Sequence, residues 1–226
     1  RPVAAADDGR NIFYACSQQY GKLGSTLVGY DSKTGIAKYA NNPLLNQQIR
    51  TMFYCKENNQ LICGTSIHGD CMAVTTTEKS AVIASIDAKT FNVEQKCAGP
   101  AGLEEFRVIG PIDEDKFFVT CLGFFNTKEK SWRYFYFSIK DFQIPPKEEM
   151  KQFPENSWSQ QIQYIGRKNK FVLRNKDTLE LWDLKKMKCL KALVENRKLH
   201  SFNVQDKDLL FWDNQKIYIL EDFLNS

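Results

Sequence analysis

Thr178–Val194 reads TLELWDLKKMKCLKALV, and its parsing decides the fold. Leu179, Leu181 and Leu184 fall among polar neighbours in near-alternation, the mark of a strand with one apolar face. Trp182-Asp183 closes that strand. The Lys-Lys step after it is a tight polar turn, and a second strand follows. The reading is a β-hairpin at the edge of a sheet.

The same unit recurs when Trp182-Asp183 is used as the anchor. Tyr30-Asp31 precedes a Ser-Lys-Thr-Gly turn, and Ile86-Asp87 precedes Ala-Lys-Thr. Ile139-Lys140 in YFYFSIKDFQI and Leu220-Glu221 in KIYILEDF take the same place. A period of about 40–50 residues with several strands per unit is the spacing of propeller blades. The expected fold is therefore all-β, a β-propeller of about five blade-like four-stranded units, over 1–42, 48–98, 104–151, 160–195 and 198–226. The last unit encodes three strands, and the first lacks part of its inner strand. The expectation is a C-terminal piece of a larger propeller, the competing one a five-unit ring in which Arg1–Ala6 supplies the missing strand. In blade three, Pro145 and Pro146 interrupt Gln143 to Met150, so a short outer strand is expected there.

With LELWDL, a Lys-Lys turn and a second strand, the fourth unit resembles a WD40 repeat. Only Trp182-Asp183 carries the signature dipeptide in place, because Phe211-Trp212-Asp213 falls at the end of the preceding strand. The Gly-His element that opens such repeats is missing, and only His200 stands near its position. The resemblance implies a WD40-like propeller whose blades are held by apolar packing. Asp31, Asp87, Trp182 and Asp183 are its structural residues. YDSKTG and IDAKT also resemble the turns of quinoprotein-type propellers. Such turns carry no cofactor chemistry.

Composition narrows the function. The chain has 226 residues, 16 Phe, 9 Tyr and a net charge of +4. Many aromatics sit in short alternating runs, which favours strands. Lys and Arg are spread over every turn, the pattern of a solvated surface, so nucleic acid is not an expected partner. The opposing reading places Lys128, Lys130, Arg133, Lys168 and Lys170 on one basic face for nucleic acid or acidic lipid. The seven cysteines form no CxxC pair and lie mostly in strands. Reduced, unpaired thiols in a cytoplasmic or nuclear protein are expected. No apolar run reaches the roughly 20 residues of a membrane helix, and RPVAAADDGR lacks the apolar centre of a signal peptide.

Chemistry-bearing motifs are few. His68 and His200 are the two histidines. His68 has Asp70 and Cys71 nearby, yet a loop histidine without a metal is the simpler reading. Asp113-Glu114-Asp115 reads as a solvated turn. No nucleophile elbow or phosphate loop is present. Neither a metal nor a cofactor is expected.

Binding residues are sought on loops between second and third strands and on connectors between blades, which share one face of a propeller. These carry Tyr20, His68, Phe124, Phe125, Phe153, Trp158 and Arg197, and aromatics with Arg are common interface anchors. The partner-binding set is Tyr20, His68, Phe124, Phe125, Trp158 and Arg197. The function expected is a non-catalytic scaffold or interaction module that binds another protein or a second copy of itself. An enzyme with loop carboxylates is the alternative, and it requires Asp, Glu and His to converge with shifted pKa values.

Overall fold

The computed structural model describes the chain except residues 70–73, 114, 126–128, 154–161, 166–168, 176, 196, 206 and 226. Among the described residues every regular element is a β-strand. The chain divides into two compact units, Arg1–Phe153 and Pro154–Ser226.

The first unit opens with β1 (Pro2–Asp7), β2 (Asn11–Ser17), β3 (Ser25–Asp31) and β4 (Ala37–Asn41), an antiparallel sheet in sequence order. Its inner strand is thus six residues long and paired with β2, where only the end of a strand was expected. The strand signal was weak because Ala4, Ala5 and Ala6 supply no β-branched or aromatic side chain. Small residues suit the position, since β1 lies against the next inner strand, β5 (Gln48–Cys55). Val3, Ala4 and Ala6 pack there on a core containing Phe13, Leu27, Ile49 and Leu61.

The next sheet continues with β6 (Gln60–Ser66), β7 (Val82–Asp87) and β8 (Val93–Ala98). The third is β9 (Leu103–Pro111), β10 (Lys116–Gly123), β11 (Ser131–Ser138) and β12 (Lys151–Gln152). A single bridge, Ser66 to Glu105, joins β6 to β9 and merges the two sheets. Between them lies a core of Ile62, Ile83, Phe106, Phe117, Val119 and Phe137. The outer strand β12 is two residues long and follows Gln143–Met150 rather than lying in it. Neither Pro145 nor Pro146 can donate to a ladder, so pairing begins only beyond them.

In the second unit, β13 (Ile162–Ile165), β14 (Lys170–Asn175), β15 (Thr178–Asp183) and β16 (Lys188–Val194) form one sheet. A three-stranded sheet of β17 (Ser201–Gln205), β18 (Asp208–Trp212) and β19 (Ile217–Leu220) follows. Val172, Leu179, Leu181, Phe202, Leu209 and Phe223 form the core. Trp182 is buried, stacks on Phe171 at 5.9 Å and donates from Nε1 to Glu180 Oε2 at 2.8 Å.

The repeated aspartates have a visible job. Asp31 Oδ1 accepts from the amides of Lys33 and Thr34, and Asp87 Oδ1 from those of Lys89 and Thr90. Asp183 Oδ1 accepts from the Lys186 amide. Each closes the outer hairpin by an Asx-type turn. Four residues on, the backbone is left-handed, at Gly35 (φ 71), Phe91 (φ 63) and Met187 (φ 48). Phe142 (φ 48) shares this geometry, and its amide reaches Ser138 O at 2.9 Å as that of Phe91 reaches Asp87 O. The blade-three anchor is therefore Ser138, two residues before Lys140. Ser138 Oγ accepts from the Asp141 amide in place of a carboxylate.

Candidate functional site

Among the described residues, the densest set of interacting charges lies where β5, β6 and β9 meet in the first unit. Glu104 and Glu105 follow each other at the start of β9, where the register with β10 shifts and Glu104 has no partner opposite it. Glu104 Oε2 accepts from His68 Nε2 at 3.0 Å and from Lys130 Nζ at 2.5 Å. Three segments thus converge on one carboxylate: the loop after β6, the start of β9, and the loop before β11. The His68 backbone is set by its amide donating to the buried Ser66 Oγ at 3.1 Å. Burial pushes the Glu104 carboxyl up, but hydrogen bonds from Lys130 and His68 outweigh it and hold the carboxyl below the usual 4.5.

Lys130 also stands 5.4 Å from the centre of the Phe124 ring. Phe124 is 38% exposed, and its amide donates to Gly102 O at 2.8 Å. That approach depends on glycine. Gly102 has φ 89, and a Cβ there would meet Phe124 O at 2.5 Å.

Next along β9, Glu105 Oε1 lies 2.7 Å from Arg107 Nε and 3.5 Å from Arg50 Nε of β5. The Glu105 side chain is 7% exposed, those of Arg50 and Arg107 22% and 30%. Neither contact is aligned as a hydrogen bond. Burial raises the Glu105 carboxyl despite both arginines, and burial lowers Arg107 despite Glu105. Both members of this pair are thus displaced toward neutrality, so desolvation exceeds their mutual attraction. Trp132 flanks Arg107, with its ring centre 5.9 Å from Cζ.

The binding residues expected from sequence are dispersed. His68 and Phe124 meet through Glu104 and Lys130. Tyr20 is 79% exposed on the loop between β2 and β3. That loop borders an open groove of about 740 Å³ lined by Gln18, Thr26, Asn41, Asn46 and Thr77, among others. Phe125 is corrected: at 4% exposure it belongs to the core, with the Arg133 guanidinium 5.5 Å away. Phe124 and Phe125 are adjacent, and where β10 ends only one can leave the core. Phe153 is likewise buried, against Tyr134. Arg197 belongs to the second unit, 4.4 Å from the Tyr218 ring centre. Trp158, Asp70, Cys71, Glu114, Lys128 and Lys168 lie outside the described residues. Of the expected basic face, Lys130 is paired with Glu104, and Arg133 Nη1 donates to Met150 O at 3.3 Å.

Arg50, Glu104, Glu105, Arg107 and Trp132 are the residues that sequence reasoning missed. One signal was available. In LEEFRV, Glu105 stands where an inner strand next to Leu103 and Phe106 calls for an apolar side chain, and a charge there needs a partner.

No family model matches the sequence, and no curated protein matches it in sequence. Solved structures do match. Against a chain of the mitotic checkpoint complex crystal structure the TM-score is 0.61 at 8% identity, over 100% of this chain and 61% of that one. Hydrazine synthase from Kuenenia stuttgartiensis gives 0.64 at 9%, over 96% of this chain and 69% of that one. The nidogen/laminin complex gives 0.58 at 9%, over 100% of this chain and 77% of that one. These are propeller-type structures. The chain is a β-propeller. It spans under two thirds of the first of these chains, and identities this low speak for fold alone. Within that fold, the loops after β6 and β10 and the connector before β9 are the ones that bring His68, Lys130, Phe124 and Gly102 together.

Proposed function

We propose that this propeller is a non-catalytic protein-interaction module, and that the loop cluster around Phe124 is part of its binding face. The observation that carries the reading is the fixed setting of Phe124. Its backbone is tied to Gly102, and Lys130 beside its ring is tied to Glu104. A rigid, half-exposed aromatic framed by paired charges is an interface anchor, because little side-chain entropy remains to be lost on binding. Two of the three similar structures, the mitotic checkpoint complex and the nidogen/laminin complex, are protein complexes, which supports protein partners. The third is hydrazine synthase, an enzyme, so the fold is neutral on catalysis. Against catalysis here stands the engagement of both carboxylates: Glu104 is held by His68 and Lys130, and Glu105 is buried against two guanidinium groups. An intracellular, reducing setting belongs to the same reading, supported by the buried free thiols Cys55, Cys63 and Cys121.

The test is affinity purification from the source cell with the wild-type chain and with Phe124→Ala/Lys130→Glu. The expected result is one or more proteins retained in stoichiometric amount by wild type and lost by a variant that keeps its thermal midpoint. Identical retention by both chains would remove this face from the function.

A further inference from the structure

We propose that Arg50 and Arg107, held side by side by Glu105, form a receptor for a carboxylate of a protein partner. This rests on the interaction-module reading above and names the partner group it would take.

The argument begins with charge. Two guanidinium groups share one carboxylate, so the trio carries one uncompensated positive charge, while Lys130 and Glu104 cancel. The trio is largely withdrawn from water, and a buried charge without a counter-ion costs several kcal/mol, roughly, even after relaxation. Both arginines approach Glu105 through Nε. Among the described residues no acceptor is set against the Nη groups of either one. A guanidinium that spends its Nε on one carboxylate keeps its terminal Nη donors for a second, the fork geometry that suits planar carboxylates. Trp132 beside Arg107 supports a guanidinium face and leaves its edge to hydrogen-bond. The size of the excess selects the ligand. A carboxylate brings one negative charge and neutralises the trio, whereas a phosphate dianion would overshoot it beside Glu105.

The experiment titrates the ¹⁵N-labelled chain with N-acetyl-Glu-Glu-amide, its Gln-Gln analogue and inorganic phosphate. The signals followed are the Trp132 indole N–H and the Nε–H of Arg50 and Arg107. The expected result is a saturable shift with the Glu peptide, none with the Gln peptide, and weaker binding of phosphate. Arg107→Gln should weaken the Glu peptide by about tenfold or more. Glu105→Gln should tighten it severalfold, because removing the internal counter-charge raises the excess. That increase keeps the test decisive if the arginine variant fails to fold, since a purely structural Glu105 would give no gain. Equal response to the Gln peptide, preference for phosphate, or weaker binding by a folded Glu105→Gln would overturn the proposal. The outcomes separate it from the parent reading. Partner retention dependent on Phe124 without peptide binding sinks the receptor alone. Peptide binding without any Phe124-dependent partner supports the receptor and sinks the interface drawn around Phe124.

Discussion

His68 Nε2 stands 3.0 Å from the same Glu104 oxygen that Lys130 reaches at 2.5 Å. The carboxyl of Glu104 is held below 4.5 in the fold, so its contribution to stability is complete above that value. The contribution is lost as pH falls through the folded value. Lys130→Met leaves burial less opposed and raises the carboxyl. The acid limb of the melting temperature against pH should then move to higher pH. Glu105 has the opposite sign. Its carboxyl is raised, so its contribution is present at low pH and lost as pH rises through the folded value. Superimposable acid limbs for wild type and Lys130→Met would mean that the Glu104 ion pair does not form in solution.

Trp182 is buried at the end of β15, stacked on Phe171 and hydrogen-bonded to Glu180. Trp182→Ala should cost about 3–5 kcal/mol in denaturant unfolding. A loss below about 1 kcal/mol would be too small for a side chain so enclosed.

Gly102 tests how Phe124 is presented. An alanine there meets both a left-handed backbone and a carbonyl oxygen at 2.5 Å. Gly102→Ala should destabilise the first unit by more than about 1 kcal/mol. It should also weaken partner retention even where the chain remains folded. Retention at wild-type level by a folded Gly102→Ala chain would detach the Phe124 setting from binding.

Met187 invites the reverse change. It occupies the left-handed position that glycine fills at Gly35 in the first blade. Its side chain is only partly buried, so little packing is lost on truncation. Met187→Gly should leave stability unchanged or raise it by up to about 1 kcal/mol, since the left-handed strain outweighs the added freedom of glycine. A clear loss would show that the Met187 side chain contributes more packing than its exposure implies.

Legibility from sequence followed locality. The hairpin turns could be read because Asp31-Ser-Lys-Thr-Gly35 encodes its own capping within five residues. Blade three was misread by two residues, because Ser138 does the work of the aspartate and Phe142 that of the glycine. β1 was read only as the end of a strand because three alanines give little pattern, and their reason for being small is a neighbouring strand far along the chain. The site was the least legible part. His68, Glu104 and Lys130 meet across three separate segments, and nothing local to any of them announces the others. Phe124 and Phe125 have the same chemistry, and only the end of β10 assigns one outward and one inward.

The edge strand β19 carries the last prediction. Its described backbone pairing is with β18 alone, from Ile217–Trp212 to Leu220–Leu209. Ile217 and Ile219 project to solvent at 74% and 62% exposure, while Tyr218 and Leu220 turn toward the core. An apolar edge whose outer ladder groups have no partner among the described residues is a template for another strand, and charged residues on the edge are the usual protection. Here the exposed positions of the strand are both isoleucine. The chain should therefore self-associate as its concentration rises, and Ile217→Lys/Ile219→Lys should suppress that association with little change in thermal midpoint. Sedimentation velocity over a concentration series reads the difference. If the wild-type chain stays monomeric throughout, and the amides of Ile217–Leu220 not bonded to β18 exchange as fast as those of a loop, edge pairing between copies is ruled out.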